Sequence, residues 1–349
     1  MNFKRLWAIL KARNHEFFRD RAAFGWNFLF PFLIVAGFGI IFGGRQQTEF
    51  KVGVFPAPTS ELSRQTLELP RQFADSPYAG FVGFENLELG LDRLKHHKID
   101  ILVEAGPPPY QYWVSDSSPK GYLAEKVFQA SLMPDSDLHL AHKRDIKGRE
   151  IRYVDWLFPG ILAMNMMFSA LYGVGYIVVR YRKNGVLKRL KATPLTAFEY
   201  LSAQALSRIF VLMFTLVVVW VGCDLVFSFK VEGSYLSIFV VFFIGGLSLT
   251  ALGLILAARG TSEEFTNGVL NFITWPMMFL SEVWFSIEGA PRWVKLFSKI
   301  FPLTHMLTAV RRIMNDGASL ADVGFELSVL SAMTICFLII GACLFSWNR

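Results

Sequence analysis

The chain has 349 residues, 53% of them hydrophobic and 18% charged, with a mean hydropathy of +0.39 and a net charge of +7. Its 34 Phe and 9 Trp suit a lipid-facing surface with interfacial aromatics and exclude an ordinary soluble domain. The positive excess reads as loop charge on a membrane protein, not as a nucleic-acid footprint, so no nucleic-acid partner is expected.

The N-terminal segment 1–21 carries Lys4, Arg5, Lys11, Arg13, Arg19 and Arg21. Phe3, Leu6, Trp7, Leu10 and Phe17 fall along one helical stripe, which predicts an amphipathic helix lying at a membrane interface. The basic region is too long for a cleaved leader and no A-x-A site follows, so the segment reads as an uncleaved anchor. A hydrocarbon core about 30 Å thick needs roughly 20 mostly apolar helical residues. Six stretches meet that need: 22–43, 154–179, 203–228, 234–258, 265–285 and 323–347. The fifth is the most polar, with Asn267, Asn271, Thr274 and Glu282.

Between the first two spans, 44–152 is mostly polar. Strand-like alternation at 51–55, 99–104 and 110–115, with helical spacing at 61–73, 85–95 and 120–133, predicts a small α/β domain. Pro70 ends or kinks the first helix and Ser118-Pro119 starts the last. The remaining segment 153–347 is a five-span domain. Within it, 286–322 is punctuated by Pro291 and Pro302 and reads as two short helices dipping into the membrane. Cys223, Cys336 and Cys343 lie in or beside apolar runs, with no CxxC and no disulfide framework.

Basic residues set the orientation. Lys and Arg crowd the N-terminus and the 180–191 segment, and six spans place both on one side with Arg349. Both termini and this loop are therefore expected in the cytoplasm, and 44–152, 229–233 and 286–322 outside it. The fold class expected is a membrane all-α protein with a small α/β insertion.

The segment 180–200 has its own logic. Leu187 and Leu190, then Leu195 and Phe198, form apolar pairs three apart, with Lys188, Arg189 and Lys191 around the first. Gly185 relaxes the chain leaving the second span. Thr193-Pro194 reads as N-cap and first helical residue of the next helix. A short charged helix with apolar knobs suits a groove on another protein; a solvated positive loop is the alternative.

This order of elements resembles the permease subunits of ATP-binding-cassette exporters of the type-2 class. The family's loop after the second span is matched at Gly185, Leu187, Leu190, Thr193, Pro194 and Leu195. It opens acidic in the family and basic here (Arg180, Arg182), and Val186 replaces a Thr. The family's late segment recurs at Pro276, Ser281, Phe285, Ile287, Pro291, Trp293 and Phe301-Pro302-Leu303, with Glu282, Ser286 and Phe301 departing from it. The resemblance covers nearly the whole chain. It implies that Gly185, Leu187, Lys188, Arg189, Leu190, Thr193, Pro194 and Leu195 form a coupling helix against a separate cytoplasmic ATPase. It also implies two permeases (a second copy or a paralogue) with two ATPases in a bacterial inner membrane. ATP and Mg would be held by the partner, and this chain would hold no cofactor.

Asn165, Ser169 and Tyr172 share one face of the second span, and Asn271 and Thr274 one face of the fifth. With Glu282 they are the candidate substrate pathway; interhelical hydrogen bonding is the competing role. Glu263 and Glu264 stand at the start of the fifth span, where they complement the helix N-terminus or meet the ATPase. Arg208 reads as snorkelling to the interface. His139 and His142, near Asp135 and Asp137, read as a solvated helix before a metal site, and His96-His97 point apart. No GxxxxGK[ST], HExxH or GxSxG occurs, so no catalytic set is expected. The reading is an exporter subunit moving an amphipathic or lipid-like molecule outward. Its alternative is a subunit that transmits ATPase motion to an extracytoplasmic enzyme without transport.

Overall fold

The computed structural model describes residues 3–42, 50–58, 69–76, 78–96, 98–116, 118–132, 152–259 and 262–344. The chain divides into two compact units, Met1–Gly43 with Glu150–Arg349, and the inserted Gly44–Arg149.

Helix α1 spans Phe3–Arg19. Its inward stripe is Leu6, which is buried, with Ile9, Leu10, Arg13, Asn14 and Phe17, which are half-buried, the i, i+3/i+4 face expected of an amphipathic helix. Phe3 and Trp7 stack on one another at 6.3 Å on the exposed side. The apolar residues read as one interfacial stripe therefore divide between an inward and an outward face. The chain turns at Asp20, whose carboxylate accepts from Ala22 N (3.1 Å), and continues as α2, Arg21–Phe42.

The inserted unit runs β1 (Phe50–Phe55), α3 (Arg71–Ala74), β2 (Ala79–Gly83), α4 (Leu87–Lys95), β3 (Ile101–Glu104), β4 (Tyr112–Val114) and α5 (Pro119–Ser131). The sheet order is β2-β1-β3-β4; β1 pairs in parallel with β2 and β3, and β4 closes the edge antiparallel to β3. Val52 pairs with Phe81 on one side and Ile101 on the other. Helices cover both faces, so β1 is buried nearly throughout, as parallel strands are. Val52, Val54, Phe73, Phe81 and Phe128 fill one core; Phe55, Phe84, Leu94 and Leu102 fill the other. Asn86 and Ser118 cap α4 and α5 through Leu89 N and Gly121 N, both at 3.0 Å. Strand β2 was not expected, because Ala-Gly-Phe-Val-Gly carries too little β-branched side chain to signal a strand. Most of the helix expected at 61–73, and His97, His139 and His142, lie outside the described residues.

Beyond the insertion, α6 (Tyr153–Leu171) passes through one π turn (Tyr172–Tyr176) into α7 (Ile177–Lys183). Then come α8 (Val186–Lys191), α9 (Ala197–Phe227), α10 (Tyr235–Arg259), α11 (Glu263–Leu280), α12 (Arg292–Ser298), α13 (Pro302–Asp316) and α14 (Gly324–Leu344). Helix α6 is the hub: Leu157, Phe158, Ile161, Met167 and Leu171 are all buried among neighbours from α2, α9, α10 and α13.

Among the described residues, five helical stretches are long and apolar enough to cross a membrane: Phe24–Ile41, Tyr153–Lys183, Ala197–Phe227, Tyr235–Ala258 and Gly324–Leu344. Together with the predominance of helix they make this a multi-pass membrane protein. The expected fifth span is not among the five. Helix α11 has 18 residues and stops at Leu280, short of 285. Glu282 adopts φ +61°, a left-handed conformation that a helix cannot continue through. The segment 286–322 does form two short helices, and α13 turns Leu303, Met306, Leu307, Val310 and Ile313 into the core.

Thr193-Pro194 does not begin α9. The cap is Thr196, which accepts from Glu199 N (3.2 Å) while Glu199 Oε2 accepts from Thr196 N (3.1 Å), a complete capping box. Thr193 instead donates to Leu190 O at 2.6 Å and ends α8. Thr196→Ala is expected to cost about 1 kcal/mol and lower the melting temperature in detergent, whereas Thr193→Ala changes stability by roughly 0.5 kcal/mol or less.

Candidate functional site

Two features of the helical unit stand out: a basic surface at α8 and a cleft beside the π turn.

The α8 surface starts at Gly185, whose φ of +69° ends α7 in the left-handed region. Leu187 is fully buried, packed with Val174, Val178, Tyr200, Leu254 and Ala257; Leu190 and Leu195 are half-buried against the same group. Leu187 is thus not the exposed knob for a partner that the sequence suggested. It is the peg that fixes α8 to α7, α9 and α10, because a six-residue helix has no other way to bury an apolar face. What remains exposed is Lys188, Arg189, Lys191, Thr193, Pro194 and the ring of Phe198 at 67% exposure. Arg5 of α1 donates to Pro194 O. Arg182 also turns inward, donating to Ala257 O and Ala258 O, each at 3.1 Å, where it satisfies carbonyls of the last turn of α10. Arg180 stays exposed. Lys183 pairs with Glu263 at 3.4 Å, joining the end of α7 to the start of α11.

The cleft has a volume of about 720 Å³ and lies between α1, α2, the α6–π–α7 helix and α9. Asn165, Ser169 and Tyr172 all line it, on the face their spacing predicted. Asn165 donates to Asn27 O of α2 (3.2 Å), and Tyr172 donates to Asn271 Oδ1 of α11 (2.9 Å). Tyr176, one turn on, donates to Glu263 Oε2 (2.8 Å). Asn271 is therefore reached from the cleft wall without lining it. Thr274 is fully buried, with its hydroxyl directed at Asn271 O (3.4 Å).

Glu282 belongs elsewhere. Its carboxylate accepts from Ile287 N (2.9 Å) and lies 3.7 Å from the Arg311 guanidinium. Arg311 in turn donates to Glu282 O (2.7 Å) and stacks 3.7 Å from the Trp156 ring centroid. Burial pushes Arg311 down to about 10, with Glu282 pulling it back up. This cluster holds the turn after α11 against α6 and α13; it is not part of the cleft.

Sequence reasoning missed one residue of the cleft wall, Arg208. Arg208 does not snorkel out. It is 8% exposed, and its Nη1 donates to Ser169 Oγ at 3.0 Å. Its guanidinium occupies the space that a side chain at position 173 would take: a Cβ there would stand 1.6 Å from Arg208 Nη2. Arg13 of α1 reaches the same turn, donating to Gly173 O (3.3 Å), Tyr181 Oη (2.7 Å) and Glu16 (2.7 Å). The π turn thus opens where two arginines from different helices converge on one backbone segment, a common association of π bulges with functional sites. An arginine inside an apolar run, with Tyr-Gly-Val-Gly-Tyr in the neighbouring span, was the available signal.

The walls combine Trp26, Phe30 and Phe168 with three arginines and two carboxylates, Glu16 and Asp20. Among the described residues no group of His, Cys, Asp or Glu could hold a metal. The arrangement suits reversible binding of an amphipathic molecule. Gly173→Ala is expected to destabilise the chain by about 1–3 kcal/mol through overpacking. Adding Arg208→Ala should recover most of that loss, as a double-mutant cycle of melting temperatures will register.

The family model described as "ABC-2 family transporter protein" matches residues 22–343. The chain is 23% identical over 188 residues to the daunorubicin resistance ABC transporter permease protein DrrB1 of Streptomyces coeruleorubidus, covering 53% of this chain and 66% of that protein. It is 26% identical over 226 residues to the "Probable multidrug ABC transporter permease YbhR" of Escherichia coli strain K12, covering 64% and 57% respectively. Against ABC transporter G family member 20 of Dictyostelium discoideum it is 22% identical over 169 residues, 48% of this chain and 23% of that one. The chain therefore matches less than two thirds of the length of these relatives, 66% of the first and 57% of the second. Helices long and apolar enough to cross a membrane, a match over nearly the whole sequence and permease relatives lead to one conclusion: the chain belongs to the ABC-2 family of transporter proteins.

Proposed function

We propose that the chain is the permease subunit of an exporter. It moves an amphipathic or lipid-like substrate out of the cytoplasm or inner leaflet, using ATP hydrolysed with Mg on a separate ATPase. In this reading α11 is the fifth of six crossings, and both termini and the 180–200 segment face the cytoplasm of a bacterial inner membrane. The inserted α/β unit faces outward. Two permeases, as a second copy or a paralogue, work with two ATPase subunits. The coupling surface is the exposed side of α8 and the following turn: Lys188, Arg189, Lys191, Thr193 and Pro194. Gly185, Leu187, Leu190 and Leu195 hold that surface in place.

The observation that carries the reading is the buried Leu187 beneath an exposed basic crown. A helix that only waved in solvent would transmit no force. One pegged by Leu187 among Val174, Val178, Tyr200 and Leu254 passes a push into the π turn, α9 and α10 together. The Tyr176–Glu263–Lys183 cluster extends the same path to α11. The cleft adjoins this region through Tyr172, Gly173 and Tyr176, so a shift of the π turn alters its shape. The basic crown calls for an acidic groove on the ATPase.

Charge reversal by Lys188→Glu with Arg189→Glu is expected to weaken co-purification with the ATPase about tenfold or more, with the fold intact. Leu187→Asp is expected instead to lower the yield of folded permease, since it buries a carboxylate without a partner. Retained ATPase association in the double reversal would sink the docking surface. Reaction of a cysteine placed at Lys188 with impermeant reagents on intact cells would reverse the assigned sidedness.

A further inference from the structure

Arg208 is a charge inside a bundle of apolar helices. Among the described residues its one hydrogen bond goes to a neutral hydroxyl, Ser169 Oγ, and it forms no ion pair. Glu16 acts on it only at longer range and is already engaged by Arg13 and Tyr181. Asp20 is tied to Ala22 N. A buried guanidinium costs several kcal/mol unless an anion meets it. The fold nevertheless makes room for it, with a glycine at 173 and a π turn.

We propose that the cleft holds the anionic head group of a membrane amphiphile, with Arg208 as its counter-cation. The inference deepens the transport reading by naming a chemical class: one acidic head of phosphate type on an apolar body. The planar fork of an arginine matches phosphate oxygens better than a point charge would. Arg180 stands exposed at the same cleft as a second cation. Trp26, Phe30 and Phe168 supply the apolar wall for the body. Helix α2, which forms one side, buries few of its residues, and Trp26, Leu29 and Leu33 are exposed, so this flank of the cleft is open to an apolar surrounding. A free inorganic anion would need none of those aromatic walls.

The full-length permease, purified in dodecyl maltoside without an ATPase, is titrated with short-chain phosphatidylglycerol, phosphatidylcholine and inorganic phosphate, and binding is read calorimetrically. Phosphatidylglycerol is expected to bind about tenfold more tightly than phosphatidylcholine. Arg208→Gln should reduce that preference to about twofold or less, while Arg93→Gln, in the inserted unit, keeps it. Ser169→Asp provides the neutralising carboxylate from within and should have the same effect even if Arg208→Gln fails to fold. Three results overturn the proposal: no preference in the wild type, an undiminished preference in Ser169→Asp, or inorganic phosphate binding as tightly as phosphatidylglycerol. The last would make this a free-anion site. No ATPase is present, so failure of the docking surface at α8 leaves this measurement standing, and the converse holds too.

Discussion

Everything near the cleft follows from one contact: the Arg208 guanidinium lying against the backbone at Gly173. Inside an apolar bundle a charge is tolerated only where the surroundings are shaped for it. Here the shaping is local and costly. One helix widens into a π turn, one position forgoes its Cβ, and Ser169 offers its hydroxyl. Arg13, from a helix far away in sequence, binds the carbonyl of the same glycine. The N-terminal helix, the widened helix and α9 are therefore locked to one another around a single point.

The basic crown at α8 depends on that same region. Leu187 shares its pocket with Val174, next to the arginine contact at Gly173, and with Val178 one turn further on. Arg182 fastens α7 to the end of α10, and Tyr176 with Lys183 fastens it to α11. Three helix ends thus meet within two turns of chain. Such a junction is tightly packed, and packed interiors resist continuous deformation. That is the physical basis for linking a surface at α8 to a cleft beside Gly173. The Glu282–Arg311–Trp156 cluster does a parallel job at the other end of α11, pinning its terminal turn to α6 and α13.

Much of this architecture is legible in the sequence alone. Apolar runs marked the long helices, since a hydrocarbon span needs length and little charge, and both can be counted. Ser118-Pro119 announced α5, and the prolines at 291 and 302 framed α12 and α13. The polar face of Asn165, Ser169 and Tyr172 was visible as spacing, and it does line the cleft. Other readings failed for identifiable reasons. Thr193-Pro194 has cap chemistry, yet Thr196 with Glu199 offers two reciprocal bonds where the former offers one. Leu187 and Leu190 repeat like a docking face, but the same spacing serves an internal core. Glu282 lies in an apolar segment, and only its left-handed backbone removes it from the helix.

The sequence by itself determined that this is a multi-pass membrane protein with an inserted α/β unit and a basic segment after its second long helix, because hydropathy, period and charge are properties of neighbouring residues. Only the tertiary structure decided which face of α8 is buried, that Arg182 and Arg208 turn inward, and that Gly173 is the seat of a guanidinium. Those outcomes join residues 13, 173 and 208, or 182 and 257, and no local pattern encodes which of many distant partners a side chain will meet.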